Sequence, residues 1–447
     1  MFAQEDYIIK ILKLQDCHLR IIKVESEKIN QISFTVVHAT NTLPTEKCPV
    51  CKSNNIARKD CRIRVINHAT VVGFNCLIKY HLLRYYCKDC SKIFNENNNF
   101  ISPRIQHSNI VIQNILKDCK EICSFRSIAK RYHLSTTTVI KIFTENVKFG
   151  RLPLTEVIGV DEFKGTVGFS KYCFIIKDLL NSEIIEILSS RKQEIIEGFL
   201  KSIPKNERET VKFIVMDLWK PYRTIFRFWF SNAKLIADRF HYVRLITDRF
   251  NRMRIKLMNQ IKSKLDIENN YELRQKLDID YYFLKKYWKI ILEYDGEQKN
   301  TEFYCPKLKR RIRKFDVLDH VLNLDNQLGE AYYLKNKFLT VINASTLENI
   351  EKNLLEWIKE VNSSMVRDYD VAIETILYWK QEIINSFIIN PKTGNTMTNA
   401  STEGTNNFCK VVKRVSYGYR DFNLMRARIL YCNRKNIVFK SQSIKDN

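Results

Sequence analysis

The chain has 447 residues, 45% of them hydrophobic, which is too long for one ordinary core and too apolar for global disorder. Lys and Arg total 74 against 49 Asp and Glu, a net charge of +25 that points to a polyanion, with nucleic acid first. Ribosomal or membrane-surface roles, the other homes of basic chains, usually come with shorter chains or basic amphipathic tails. No apolar run approaches ~18 residues, so no membrane span is expected. The start, MFAQEDYIIK, lacks the basic-then-apolar pattern of a secretion signal. Thirteen cysteines in such a chain read as thiols or metal ligands, not as a disulfide framework.

In chain order, a short amphipathic start precedes two expected strands around LRIIKV and QISFTVVH, and a cysteine-bearing segment spans 48–90. The Asn-rich stretch FNENNNF (94–100) reads as a linker, and helical text follows to about 150. Residues 51–150 carry 17 Lys/Arg against 6 Asp/Glu. From 155, strands are expected at EVIGVDEF, KYCFIIKDL and SEIIEILSS, then a helix, a strand at VKFIVMDL, a helix at KPYRTIFRFWF and a strand at AKLIADRF. That order describes an α/β domain with a mixed sheet. Beyond 240 the text is almost wholly helical to about 390. A polar loop (389–402) follows, then a last helix beginning near Thr402 and a polar tail.

Three constellations carry chemistry. Cys48, Cys51, Cys87 and Cys90 form two CxxC pairs whose thiolates suit a closed tetrahedral zinc site. The 35 residues between the pairs alternate like hairpins, as a zinc ribbon requires, and Cys61 and Cys76 read as apolar fillers. The stretch SFRSIAKRYHLSTTTVIKIF (124–143) matches a helix-turn-helix, with Ile128, Ala129, Leu134, Val139 and Ile142 at its packing positions. Ser135 can cap the second helix, and Ser135, Thr136, Thr137, Thr138 and Lys141 are the residues that would meet DNA. His133 stands at the turn position where Gly is usual, and it tolerates positive φ better than most residues.

The third constellation is acidic. Val157, Gly159 and Asp161 share one strand face, and Phe213, Val215 and Asp217 do likewise, so two apolar strands each end in an Asp. Oxygen ligands at two strand ends suit a divalent metal such as Mg²⁺. A third carboxylate is Glu403, which shares a narrow helical face with Asn407, Lys410 and Arg414; Phe408, Val411, Val412 and Val415 form the expected packing stripe. The basic run Lys307–Lys314, six cations in eight residues, would grip DNA backbone or form a solvated helix face.

The CPxC…CxxC ribbon, the helix-turn-helix, IGVDEFKG, IVMDLWKPY, ADRFHYVR and STEGTNNFCKVVKRVSYGYR together resemble bacterial insertion-sequence transposases of the ISL-three family, in the family's order over nearly the whole chain. The resemblance implies a multidomain α/β protein. Its parts would be an N-terminal region with zinc ribbon (1–100), a helix-turn-helix domain (101–150), and a ribonuclease-H-like catalytic domain (151–266 and 396–440) interrupted by an all-α insertion (267–395). It implies a DDE triad of Asp161, Asp217 and Glu403 holding two Mg²⁺ or Mn²⁺ ions, with His241 of the DxxH segment in an accessory role. It also implies cleavage and strand transfer of double-stranded DNA at terminal inverted repeats and target, by a homodimer on paired ends in the bacterial cytoplasm, at the nucleoid. Lys410 and Arg414 would then hold phosphates near the site. The rival readings are a domesticated, non-catalytic DNA-binding regulator and a different nuclease on the same fold.

Overall fold

The computed structural model describes residues 18–71, 74–97, 106–167, 170–390 and 392–435. The expected amphipathic start and polar tail lie outside these residues. The chain divides into two compact units, 1–150 with 409–447, and 151–408. The expected last catalytic segment, 396–440, is therefore split at 408/409.

In the first unit, β1 (Leu19–Ile29), β2 (Ile32–Asn41), β3 (Ile56–Val71) and β4 (Phe74–Cys87) form a sheet in the order β1-β2-β4-β3, with β5 (Ile93–Asn95) added to β4. The β3–β4 hairpin is the one its alternation predicts, and its apolar side buries Ile66, Ile78 and Tyr80 against Ile21 and Val37. Cys76 is buried as expected, but Cys61 is exposed, because it falls on the hairpin's solvent side.

Three helices follow: α1 (Asn109–Asp118), α2 (Phe125–Arg131) and α3 (Thr136–Asn146). Val111, Ile115, Ile128, Ala129, Val139, Ile142 and Phe143 make their core, with Leu134 half-buried against it. The turn after α2 is a Schellman motif: Leu134 N–H donates to Ala129 O (2.9 Å) and His133 N–H to Lys130 O (3.4 Å). That motif needs a left-handed residue, and His133 supplies it at φ +52°. Ser135 Oγ then caps α3 by accepting from Thr138 N–H at 3.0 Å. The C-terminal helix Phe422–Asn433 completes this core through Tyr431, whose hydroxyl donates to Leu116 O at 2.9 Å.

In the second unit, β6 (Val157–Phe163), β7 (Cys173–Asp178), β8 (Glu183–Leu188), β9 (Phe213–Met216) and β10 (Lys234–Ala237) form a mixed sheet in the order β10-β9-β6-β7-β8. β6, β7 and β8 pair antiparallel, and β9 and β10 run parallel to β6. The strands are nearly continuous Val/Ile runs because both faces are covered. Between them run α4 (Gln193–Lys201), α5 (Lys205–Glu209) and α6 (Lys220–Trp229). From β10 springs α7 (Arg239–Ile267), a rod of 29 residues and roughly 43 Å.

Residues 267–395 are mostly helical, with Trp357 and Trp379 at the heart of their packing. They also hold a hairpin, β11 (Glu302–Cys305) and β12 (Arg310–Arg313). The basic run Lys307–Lys314 is thus a turn and a strand, not a helix face. Its Leu308 and Ile312 are spaced as easily for a helix as for a hairpin, and the left-handed turn at Lys309 (φ +53°) decides the matter. Among the described residues, no helix is long and apolar enough to cross a membrane.

Candidate active site

The parallel register of β6 on β9 pairs Val157 with Phe213, Ile158 with Ile214 and Gly159 with Val215. Continued by two residues, it sets Asp161 beside Asp217. On the other side of β9, Ala237 pairs with Met216, so Asp238 stands beside Asp217 as well. Three carboxylates therefore lie at one level on three neighbouring strands about 4.8 Å apart, and in-register parallel neighbours share a face.

Asp161 is 9% exposed, with Oδ1 accepting from Glu162 N–H and Oδ2 from Asn406 Nδ2, both at 2.6 Å. Burial, and next the charge of Asp217, push its carboxyl up to about 7. Asp238 is buried, accepts from Asn399 N–H at 3.1 Å and is pushed upward by that burial, with Asp217 and Glu403 adding to the shift. His241 Nε2 lies 3.1 Å from Asp217 Oδ1 and 3.9 Å from Asp238 Oδ2. Burial would lower its pKa, but the Asp217 hydrogen bond and the surrounding carboxylates outweigh that and raise it. The ligand atoms of Asp217, Asp238 and His241 all lie within 4.8 Å of one another, a spacing one divalent ion can bridge. That set does not include Asp161 or Glu403.

Glu162 points to the opposite face, as strand alternation demands. One of its oxygens accepts from Tyr222 O–H at 2.6 Å and the other pairs with Arg191, so the second acid of the IGVDEF motif is occupied in the fold.

Glu403 sits in the first turn of the helix Ala400–Val415. It is exposed and lines a cleft of about 340 Å³ with Asp238, Phe240 and Asn343. Within the second unit the start of this helix docks on the sheet through polar groups. Lys177 Nζ, buried in β7, donates to Ser401 O (2.6 Å), Ser401 Oγ (2.6 Å) and Thr405 Oγ1 (2.7 Å). Asn399 Nδ2 donates to Val160 O at 3.1 Å. The buried stripe runs through Thr402, Thr405, Asn406, Cys409 and Val412. Of the expected stripe of Phe408, Val411, Val412 and Val415, Val412 is buried and Phe408 and Val415 are half-buried, but Val411 is 39% exposed, because hydrophobicity alone cannot reveal a polar dock. Asn407, Lys410 and Arg414 are exposed along the helix, as the wheel placed them.

Asp238 lies within the ADRFHYVR segment without a role of its own, and no local pattern marks Lys177, Asn399 or Asn406. A signal existed for Asp238: LIAD ends its strand as IVMD ends the one before it.

In the first unit the four sulfurs of Cys48, Cys51, Cys87 and Cys90 lie within 4.8 Å of one another, with Cys48–Cys90 at 3.6 Å and Cys51–Cys87 at 3.5 Å. Thiolates around zinc at ~2.3 Å stand roughly 3.8 Å apart, so the donor set fits that ion. Left-handed Lys52 (φ +61°) and Ser91 (φ +57°) follow the second cysteine of each pair and turn the chain so that both thiols of a pair converge. On α3, Thr137 and Lys141 are exposed and Thr136 and Thr138 half-buried. The Ser135 hydroxyl is engaged in the cap and with Thr137 Oγ1 at 2.8 Å.

Comparison with known proteins identifies the family. The family DDE_Tnp_ISL3, described as "Transposase", matches residues 158–429, more than half of the chain. The transposase for insertion sequence element IS1001 of Bordetella parapertussis is 18% identical over 394 residues, covering 85% of this chain and 87% of that protein. A polyanion-directed charge, a four-cysteine cluster and a mixed sheet ending in aligned carboxylates thus stand in a chain that belongs to the ISL-three family of insertion-sequence transposases.

Proposed function

We propose that this transposase cuts DNA at the terminal inverted repeats of its own insertion sequence and joins the freed ends to target DNA, using a ribonuclease-H-like catalytic sheet. The observation that carries the reading is the register that aligns Asp161, Asp217 and Asp238 on neighbouring strands, with Glu403 lining the same cleft as Asp238. Three antiparallel strands extended by two parallel ones, in the order found here, are the sheet such a domain needs.

Asp161, Asp217 and Glu403 would hold the Mg²⁺ or Mn²⁺ ions of the family, with Asp238 and His241 completing the donor set around Asp217. When bound, such ions polarise the scissile phosphate and lower the pKa of the attacking water. The chain's own groups set the stage. Asn406 and the Glu162 amide fix the rotamer of Asp161, and His241 fixes that of Asp217. Lys177 holds the first turn that presents Glu403. Water attacks the phosphodiester at the element's end and leaves a 3′-hydroxyl, which then attacks a target phosphodiester in the same site.

The helix-turn-helix, through Thr136, Thr137, Thr138 and Lys141, would read the repeats, with the zinc ribbon, Asn407, Lys410 and Arg414 contacting backbone. Two copies on paired ends would cut both together. The test is cleavage of DNA carrying the element's own end, with Mg²⁺ and with chelator, by the parent, Asp217→Asn, Glu403→Gln and Asp238→Asn. Metal-dependent cutting lost in Asp217→Asn and Glu403→Gln supports the reading. Cutting lost in Asp238→Asn but kept in Glu403→Gln would replace the third carboxylate by Asp238. Tight binding with no cutting under any metal would sink the catalytic reading.

A further inference from the structure

Beside the carboxylates the second unit builds an aromatic cluster that metal chemistry does not use. Tyr172 immediately precedes β7, opposite the carboxyl end of β6; Arg191 follows β8; and Trp219 follows β9, two residues after Asp217. All three therefore sit at the rim of the sheet where Asp217 and Asp238 follow their strands and Asp161 lies two residues before the end of β6. The rim outside the carboxyl ends of strands is where open α/β sheets take ligands.

The Arg191 guanidinium lies 4.7 Å from the Tyr172 ring centroid and 5.2 Å from that of Trp219. It is also paired with Glu162, whose other oxygen is held by Tyr222. Arg191 is thus neutralised and fixed, which makes it a poor phosphate ligand and a good rigid backing for an indole. Trp219 itself is 45% exposed. Its backbone is tied down, since Trp219 N–H donates to Asp217 O at 2.7 Å. Lys171, near Tyr172 (5.6 Å to the centroid), places a cation on one flank, and Lys220, whose ammonium lies over the Tyr378 ring at 4.9 Å, adds charge to the helix start that follows Trp219. A large aromatic side chain held open on a cation-flanked rim is the arrangement that stacks bases of single strands.

We propose that Trp219, backed by Arg191 and Tyr172, is a stacking shelf for an unpaired base of the DNA strand that runs through the carboxylate site. Asp161 faces one side of the sheet and Glu162, with Arg191, the other. A strand with its scissile phosphate at the carboxylates therefore crosses the rim before a base reaches the shelf. The stacked base is a neighbour of the cleaved nucleotide, and the duplex is opened there. Opening lets the strand bend into the site, and the shelf offsets part of the unpairing. The inference rests on the proposed function for the strand's path, but the shelf has its own readout.

That readout is 2-aminopurine fluorescence in duplexes carrying the element's own end, with the probe moved one position at a time across the cut boundary. Chelator is present, so no strand is cut. With the parent protein, one position next to the boundary is quenched by stacking on the indole. In Trp219→Ala the same position brightens, because the base is out of the duplex with nothing to stack on, and affinity by anisotropy falls by no more than the worth of one stack, roughly 5- to 100-fold. Trp219→Phe keeps part of the quench. Identical profiles for the parent and Trp219→Ala, or no responsive position, would overturn the proposal.

In the cleavage assay, Trp219→Ala loses roughly 5- to 100-fold, the range of one base–aromatic stack. An abasic substitution at the responsive position costs the parent a similar factor and the variant little more. Additive losses would show that Trp219 and that base do not meet. A parent that cuts no end DNA would refute the proposed function, and the fluorescence would still judge the shelf.

Discussion

Gly159 lies two residues before Asp161, where the sheet meets the turn that presents Glu403. A methyl group at its Cβ position would stand 2.7 Å from Leu179 Cδ2, 2.7 Å from Thr402 Oγ1 and 2.9 Å from Asn399 Oδ1. None of these neighbours yields easily. Thr402 and Asn399 are buried, and the Asn399 amide is bonded to Val160 O while its N–H holds Asp238. The helix start must therefore lift in Gly159→Ala, and overpacking of this kind costs about 1–3 kcal/mol. Glu403 and Asp238 then shift by a good fraction of an ångström, enough to lower cleavage by about 100-fold. DNA binding through residues 101–150 stays within about 2-fold, because those residues belong to the other compact unit and pack in a core of their own. Cleavage and anisotropy on the same end duplex, with thermal unfolding alongside, separate these effects. Thr402 Oγ1 is buried without a hydrogen-bond partner. Adding Thr402→Ala therefore removes one clash at little cost and restores part of the rate. A Gly159→Ala protein that cuts at the parent's rate would refute the close-approach argument.

In Cys48→Ser the thiolate set is incomplete, and we expect the purified protein to lose bound zinc and to weaken on end DNA by about 10-fold or more; full zinc content by metal analysis would refute the ligand assignment. At the left-handed turn position, His133→Val costs about 1–2 kcal/mol in urea unfolding whereas His133→Gly is close to neutral; equal losses would mean that the turn does not control the helix-turn-helix. Lys335 is fully buried over Tyr332, with Nζ donating to Glu293 O at 2.9 Å and Leu292 O at 3.2 Å, and burial holds its pKa down to about 8 from 10.5. Between those values the unfolded chain binds the proton and the folded one does not, so stability rises with pH across that window by up to about 3 kcal/mol relative to Lys335→Met. Parallel urea midpoints at pH 7.5 and 9.5 for the two proteins would refute it.

What the sequence made legible was local. The CxxC pairs bring their own turns, and the SxxT cap with its preceding histidine spells a Schellman turn followed by a helix. Apolar runs ending in Asp announce strand ends at Asp217 and Asp238, whereas β6 runs two residues past Asp161. What stayed hidden depends on distant partners. The dock of the Glu403 helix is polar because Lys177 of β7, more than two hundred residues away in the chain, supplies the ammonium that Ser401 and Thr405 answer. A wheel that ranks residues by hydrophobicity turns that face outward. The hairpin at 302–313 carries so many cations that its short apolar alternation is lost among them. The helix 422–433 belongs to the first unit through Tyr431 and Arg428, whose guanidinium donates to Glu121 O and Cys123 O. No spacing rule connects residues three hundred positions apart.

The carboxylate level works against the fold that displays it. Asp161, Asp217 and Asp238 stand side by side, and their mutual repulsion adds to the burial that raises Asp161 and Asp238. A core selected for stability alone would not place three carboxylates together, so the proposed site predicts a stability cost that the middle charge carries. Asp217→Asn removes the middle charge while leaving an oxygen to accept from His241. In chelator it therefore unfolds at a higher temperature than the parent. With saturating Mg²⁺ the order reverses, because an ion that binds only the folded parent stabilises it by mass action and the variant gains little. A Tm for Asp217→Asn at or below the parent's in chelator would show that Asp217 is held chiefly by His241 and not strained by its neighbours. An equal Mg²⁺ shift in both proteins would place the ion elsewhere.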